Sequence, residues 1–279
     1  MIIGIDIGGS TTKITGFREN QIVSPFLVRA TDPISSLYGA FGKFLNQNQL
    51  QLSDVSYIMI TGVGSSYVKK KIFGLPTGRV DEFYAIGMGG LFLSGLSNAV
   101  IVSMGTGTAF VKAESTNVKH LGGTGVGGGT LLGLSNRMLN IRQFNDLVEM
   151  AKGGLLSNID LLVGDISSNL IVGLPPETTA SNFGKISDLA SKQDVALGII
   201  NLVFQTIGVL SIFAARTDGT QDIVLTGNLT NVPQGGEIFD GLTKLYSVRF
   251  HIPEHAEYAT ALGAAIVCAR NGQFELITD

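Results

Sequence analysis

The chain has 279 residues, 44% hydrophobic and 15% charged, enough to bury the core of one large domain or two modest ones. A formal net charge of −3 and a pI of about 5.6 leave no basic face for a phosphate backbone, so nucleic-acid binding is not expected. Cys268 is the one cysteine, which excludes an internal disulfide and a multi-cysteine zinc site, and His120, His251 and His255 have no metal-ligand spacing.

The opening MIIGIDI has no signal-peptide pattern, and with the single cysteine it fits a cytoplasmic protein. Its β-branched run predicts a buried strand over Ile2 to Ile7. GGST breaks that strand; Lys13 to Phe17 and Ile22 to Val28 follow as strands two and three of a meander, with a turn at Glu19-Asn20-Gln21. Helical spacing runs from Ile34 to Asn46, a strand from Val55 to Thr61, and a short helix from Ser65 to Lys71. Glu82 to Leu96 reads as a helix whose glycines imply close packing. Ala99 to Ser103 and Ala109 to Ala113 are strands around the turn GTGT. The glycine loop GGTGVGGG then leads into helices from about Thr130 and Arg142, and Leu174 to Gly184 reads as a polar loop.

Val195 to Ala215 is 21 residues without a charge, long enough for a membrane span. Asn201, Gln205 and Thr206 and the absence of any other membrane signal favour a buried helix at a domain or subunit interface, and no membrane partner is expected. The chain ends with strands at Asp222 to Thr226 and Val248 to His251 and helices near Gly236 to Tyr246 and Tyr258 to Arg270. A strand-turn-strand with Gly and Ser/Thr at its turn thus opens near residue 6 and again near residue 105. This predicts an α/β protein of two related halves, 1–98 and 99–279, with a cleft between them and the last helix free to pack back on the first half.

Five segments carry candidate chemistry. In Asp6-Ile7-Gly8-Gly9-Ser10-Thr11-Thr12-Lys13, glycines and hydroxyls present donors to phosphate oxygens, and Asp6 can hold Mg²⁺ through water; an ordinary hairpin turn is the bland alternative. Ser103-Met104-Gly105-Thr106-Gly107-Thr108 repeats that chemistry, so the two turns can grip a polyphosphate from both sides. The loop before Thr130 is either a linker or a ligand surface at a helix N-terminus, where unpaired N–H groups favour anions. Asp81-Glu82 at a helix start is either a dipole-stabilising pair or the source of a general base for a substrate hydroxyl. Gly227-Asn228 ends a strand beside the cleft, as a turn or a nucleotide contact.

GIDIGGSTTK, GTGT and YATALGAAI together resemble the actin–hexokinase–Hsp70 superfamily of ATP-binding proteins. VDEFYAIGMGGL, GGTGVGGGTLLGL and TTASNFG, in that order, sharpen this into a resemblance to type II pantothenate kinases over essentially the whole chain. The resemblance implies an actin/hexokinase-like (ribonuclease H-like) fold and a homodimer with dimerisation helices in its second half. It implies an enzyme that uses ATP and Mg²⁺ to phosphorylate the primary hydroxyl of pantothenate, the first step towards coenzyme A. Glu82 takes the place of the family's catalytic glutamate. Gly8, Gly9, Ser10 and Lys13, with Thr11 between them, match its first ATP loop, and Thr106 with Gly107 its second. Gly128, Gly129 and Thr130 match the third ATP segment, and Phe144 falls near the adenine contact. His120, Gly122 and Thr179 fall in the segments near the substrate.

One departure stands out. The family carries an arginine where this chain has His120, preceded by Lys119. An imidazole lacks the five-donor fork of a guanidinium, and lysine is a point charge. Three consequences are open: Lys119 turns in, the acceptor differs from pantothenate, or activity is weak. The alternatives are a kinase for a sugar or pantetheine-like acceptor, and a nucleotide-binding regulator without kinase activity.

Overall fold

The computed structural model describes residues 1–29, 32–167, 169 and 171–278. Strands β1 (Ile2–Ile7), β2 (Thr11–Arg18) and β3 (Gln21–Arg29) form an antiparallel meander. Helix α1 (Pro33–Gln47) starts at an Asp32 cap whose carboxylate accepts the Ser35 N–H at 2.6 Å, with Pro33 in its first turn. Strands β4 (Tyr57–Thr61) and β5 (Thr77–Arg79) add in parallel beside β1, and α2 (Glu82–Ser94) follows. A second meander consists of β6 (Asn98–Met104), β7 (Thr108–Glu114) and β8 (Asn117–Thr124). Helices α3 (Gly128–Leu139) and α4 (Phe144–Met150) precede a small subdomain of β9 (Leu161–Leu162), α5 (Val163–Ile166) and β10 (Thr179–Ser181). The chain closes with α6 (Lys192–Thr217), β11 (Asp222–Thr226), α7 (Pro233–Tyr246), β12 (Arg249–His251), α8 (Ala259–Ala269) and β13 (Glu275–Ile277).

The two main sheets have the same topology. Their orders are β3-β2-β1-β4-β5 and β8-β7-β6-β11-β12, each a meander followed by two parallel strands, and β13 extends the first sheet beyond β5. The repeat seen in the sequence is therefore a repeat of architecture.

Between the sheets lie α8 and α2. Helix α8 packs on β1, β2 and β4, while α2 packs on α8 with one face and on β6, β7 and β8 with the other. Both helices are apolar all round because both are covered all round. Their crossing is close enough to require glycine. A Cβ on Gly263 would lie 1.8 Å from the Ala85 carbonyl oxygen, and one on Gly89 would lie 1.9 Å from that of Ala259. The glycines read as packing residues in α2 thus let backbone touch backbone.

Helix α6 covers the outer side of the second sheet with α3, α4 and α7 around it. It is long and apolar enough to cross a membrane, yet Ala196, Ile199, Ile200, Val203, Phe204 and Ile207 are buried in the protein's own core. Its start is fixed by Ser191 and Asp194, which accept each other's backbone N–H at 3.1 and 2.9 Å.

Some elements differ from the expectation. The helix expected over Ser65 to Lys71 is a single 3₁₀ turn, Val63–Tyr67, and three consecutive lysines, Lys69, Lys70 and Lys71, follow outside it. GGTGVGGG is half strand, since β8 runs on through Thr124. Strands β5, β10 and β13 have three residues each, too few to show an alternating pattern.

Gly263→Ala is expected to destabilise the protein by roughly 3 kcal/mol or more through overpacking. Gly133→Ala, on the exposed side of α3 with open space around it, is expected to stabilise by roughly 0.5–1 kcal/mol. Urea unfolding of both variants checks the contrast.

Candidate active site

The two glycine turns meet. The β1–β2 turn is closed by the Gly8 N–H donating to the Thr11 carbonyl at 3.0 Å, and the β6–β7 turn by the Gly105 N–H donating to Gly107 at 2.9 Å. Between them Ser10 Oγ and Thr106 Oγ1 lie 3.2 Å apart, a hydroxyl contact linking residues 96 apart in sequence. Gly9 and Ser10 are exposed at the rim.

The third glycine segment lies against the second turn. The N–H groups of Gly128 and Gly129 donate to the carbonyls of Gly105 and Thr106, each at 2.9 Å. A Cβ on Gly127 would lie 2.7 Å from the Thr106 carbonyl oxygen, so glycine is required there. Thr130 Oγ1 accepts from the Gly127 N–H at 3.2 Å and donates to the Gly125 carbonyl at 3.1 Å. The N–H groups of Gly128 and Gly129 at the start of α3 are thus spent on the second turn. Gly227 at the end of β11 is packed on the backbone of Met104, and its N–H donates to Ala256 at 3.0 Å. Phe144 opens α4 with its ring half-buried against the second core. Beside it, Gln143 accepts a hydrogen bond from Arg29 at 3.1 Å, across from the edge of the first sheet.

The charged centre is Asp6, Lys13 and Glu82. Asp6 ends β1, Lys13 sits opposite it on β2, and the two form a buried ion pair at 3.9 Å. Burial raises the Asp6 carboxyl above the usual range, and Lys13 opposes that shift. At the start of α2, Asp81 caps the helix by accepting the Tyr84 N–H at 3.0 Å. Capping is therefore the work of Asp81, and Glu82 is left at the first helical position. Burial pushes the Glu82 carboxyl up to about 7, helped by the negative charges of Asp6 and Asp81 and opposed by Lys13. A carboxyl with a pKa in that range has the proton affinity that a general base near neutral pH needs.

Glu82 opens into a cavity of about 530 Å³ shared with Gly62, Arg79, Phe274 and Glu275. On the other side of α2, Phe83 stacks on His120, ring centroids 3.8 Å apart and planes 11° from parallel. His120 pairs with Val111 on β7, whose side chain packs towards α2; Lys119 pairs with Lys112 and so points to the opposite face of the sheet. Lys119 reaches the Glu82 side only through a register slip of β8. Gly122 lies further along β8, opposite Phe110 at a bulge.

Thr179 sits elsewhere, lining a separate cavity of about 810 Å³ under α6 and α7. Its hydroxyl donates to the buried Asp160 at 3.1 Å, and Asn201 and the Phe183 N–H donate to the same carboxylate at 2.7 and 2.9 Å. Sequence reasoning passed over Asp160, Phe83 and Arg79. The VDEF and TTASNFG stretches lie beside them, but their partners come from distant parts of the chain.

A family model described as Fumble matches residues 98–267. A type II pantothenate kinase of Bacillus cereus (strain G9842) is 29% identical over 242 residues, 81% of this chain and 83% of that protein. The activator of the 2-hydroxyisocaproyl-CoA dehydratase from Clostridium difficile, with bound ADPNP, superposes with a TM-score of 0.69 at 16% identity, covering 97% of this chain and 94% of that one. A ROK family glucokinase from Streptomyces griseus, in complex with glucose and AMPPNP, gives 0.61 at 15% identity, covering 97% and 99%. The fold is that of the actin/hexokinase-like ATPases.

Asp6→Asn and Asp81→Asn are each expected to lower the Glu82 pKa from about 7, as followed by ¹³C carboxyl NMR titration. A Glu82 that titrates in the ordinary carboxylate range in the unaltered protein contradicts this reading.

Proposed function

The Fumble match spans more than half of the chain and makes it a member of that family, and on this premise we infer that the protein is a type II pantothenate kinase. It transfers the γ-phosphoryl group of ATP to the primary hydroxyl of pantothenate, in the synthesis of coenzyme A.

One observation carries the site assignment: a glutamate with its pKa raised to about 7 lines a cavity and feels the charges of Asp6 and Lys13, the two ends of the segment that holds the Ser10 turn. In this reading the turns at Gly8–Lys13 and Thr106–Gly107, with the Gly128–Thr130 segment and Gly227, hold the nucleotide, and Phe144 flanks the base. Glu82 accepts the hydroxyl proton as the acceptor oxygen attacks phosphorus. Lys13 holds positive charge next to Asp6, where negative charge gathers. Positioning and charge neutralisation supply most of the catalysis in such transfers. Closure of the lobes 1–98 and 99–279, with α8 and β13 of the second held on the first sheet, would exclude water from the cleft.

Among the described residues no group of three or more His, Cys, Asp or Glu could hold a metal. A lone carboxylate, Asp6, suits an ion that keeps much of its water and arrives on phosphate oxygens. Mg²⁺ bound with ATP supplies neutralisation of the β- and γ-phosphoryl charge.

A homodimeric, cytoplasmic protein belongs to the same reading. Exposed Leu210 and Phe213 on α6 support a surface covered by a second copy. His120, stacked on Phe83 beside Glu82 in the sequence, and Gly122 on β8 are assigned to the substrate side in this reading, and Thr179 belongs to it through the dimer. The position of Lys119 on the far face favours a second reading within the same chemistry, an acceptor of pantetheine type without a carboxylate.

With ATP and Mg²⁺, a panel of pantothenate, pantetheine, N-acetylglucosamine and glucose is expected to give turnover on pantothenate. Glu82→Ala is expected to lower kcat by roughly two to four orders of magnitude with ATP affinity kept; near-normal turnover would remove Glu82 from its role. Because the base works ionised and its pKa is raised to about 7, kcat/KM is expected to fall as pH drops below that value and to level off above it.

A further inference from the structure

Among the described residues that line the Glu82 cavity the one cation is Arg79, on β5. Arg79 and Glu82 are three residues apart, a reach of at most about 10 Å of extended chain. Pantothenate carries its primary hydroxyl and its carboxylate at opposite ends of a chain of comparable length. Arg79 and Glu82 line one cavity, so an acceptor whose hydroxyl meets Glu82 has Arg79 within the same space for its carboxylate.

The guanidinium is only partly committed. Its Nη2 donates to the carbonyls of Ser65 and Val68 at 3.2 and 2.8 Å, which fixes the plane of the group. Its Nε is buried without a partner. Its Nη1 donates to Glu275 on the facing strand β13 at 2.8 Å. That carboxylate is 67% exposed, whereas the Arg79 side chain is 24% exposed. An exposed ion pair is held weakly and is displaced by a better-placed anion. Arginine offers a planar fork matched to a carboxylate, which neither His120 nor Lys119 provides from β8. The cavity also holds the acids Asp81 and Glu82, so an incoming carboxylate is tolerated only at Arg79 and only if Glu275 swings out to water.

We propose that Arg79 binds the acceptor's carboxylate, with Glu275 as the stand-in anion that the substrate displaces. This rests on the pantothenate kinase reading and adds the residue that selects an acidic acceptor. Arg79 is a substrate-binding residue here, and its hydrogen bonds to Ser65 and Val68 are what aim it.

The test compares kcat/KM for pantothenate and for pantetheine, which has no carboxylate, in the full-length protein with ATP and Mg²⁺. Arg79→Gln is expected to reduce the pantothenate-to-pantetheine ratio by roughly tenfold to a hundredfold, mainly through KM for pantothenate. Glu275→Gln removes the competing anion at an exposed site and is expected to raise the ratio by a few-fold, which a purely structural role for the pair would not do. Should Arg79→Gln fail to fold, the Glu275→Gln ratio decides. Wild-type protein that phosphorylates both compounds, with a ratio that neither substitution moves, overturns the inference alone. Wild-type protein that phosphorylates neither contradicts the kinase reading, and the inference falls with it.

Discussion

The crossing of α2 and α8 is the constraint on which the molecule depends. The first sheet, α8, α2 and the second sheet lie in succession, so one helix pair joins the two halves. Gly89 and Gly263 set the separation, because each carries its partner's carbonyl where a Cβ would be. The same spacing sets where α2 begins. Glu82 therefore stands at the cleft by virtue of backbone contact seven residues away, a contact that leaves little room for adjustment.

The price of that placement is electrostatic. Asp6, Asp81 and Glu82 gather at one end of the cleft with Lys13 as the buried counter-charge. Burial and like charge both disfavour a second carboxylate there, and the proton affinities of Glu82 and Asp6 both rise. An unfavourable arrangement for stability becomes a favourable one for taking a proton near neutral pH. The glycine turns complement it. Each closes on itself through one N–H, the third glycine segment donates two more to the second turn, and the Ser10 and Thr106 hydroxyls join the two turns.

Much of this was legible in the chain because the signals were local. GIDIGGST and GTGT each place glycine and hydroxyl residues between strands, and their recurrence matches the shared order of the two sheets. The apolar run of α6 announced burial, the glycines of α2 close packing, and α6 is buried against its own core. The rest was hidden for physical reasons. Strand β5 has three residues and gains its identity from β4 and β13, so Arg79 could not be seen to share a cavity with Glu82. The unpaired N–H groups expected at the start of α3 are satisfied by a turn more than twenty residues earlier. The face of Lys119 is decided by the pleat of β8, which the glycine-rich reading of that stretch did not anticipate.

The central claim is that this cleft moves a phosphoryl group from ATP to the hydroxyl of pantothenate. It is tested most directly by ³¹P NMR of the purified protein with ATP, Mg²⁺ and pantothenate. A phosphomonoester of pantothenate growing in step with ADP is the predicted result. ATP consumed to inorganic phosphate with no phosphomonoester, or ATP bound and left intact, would contradict it.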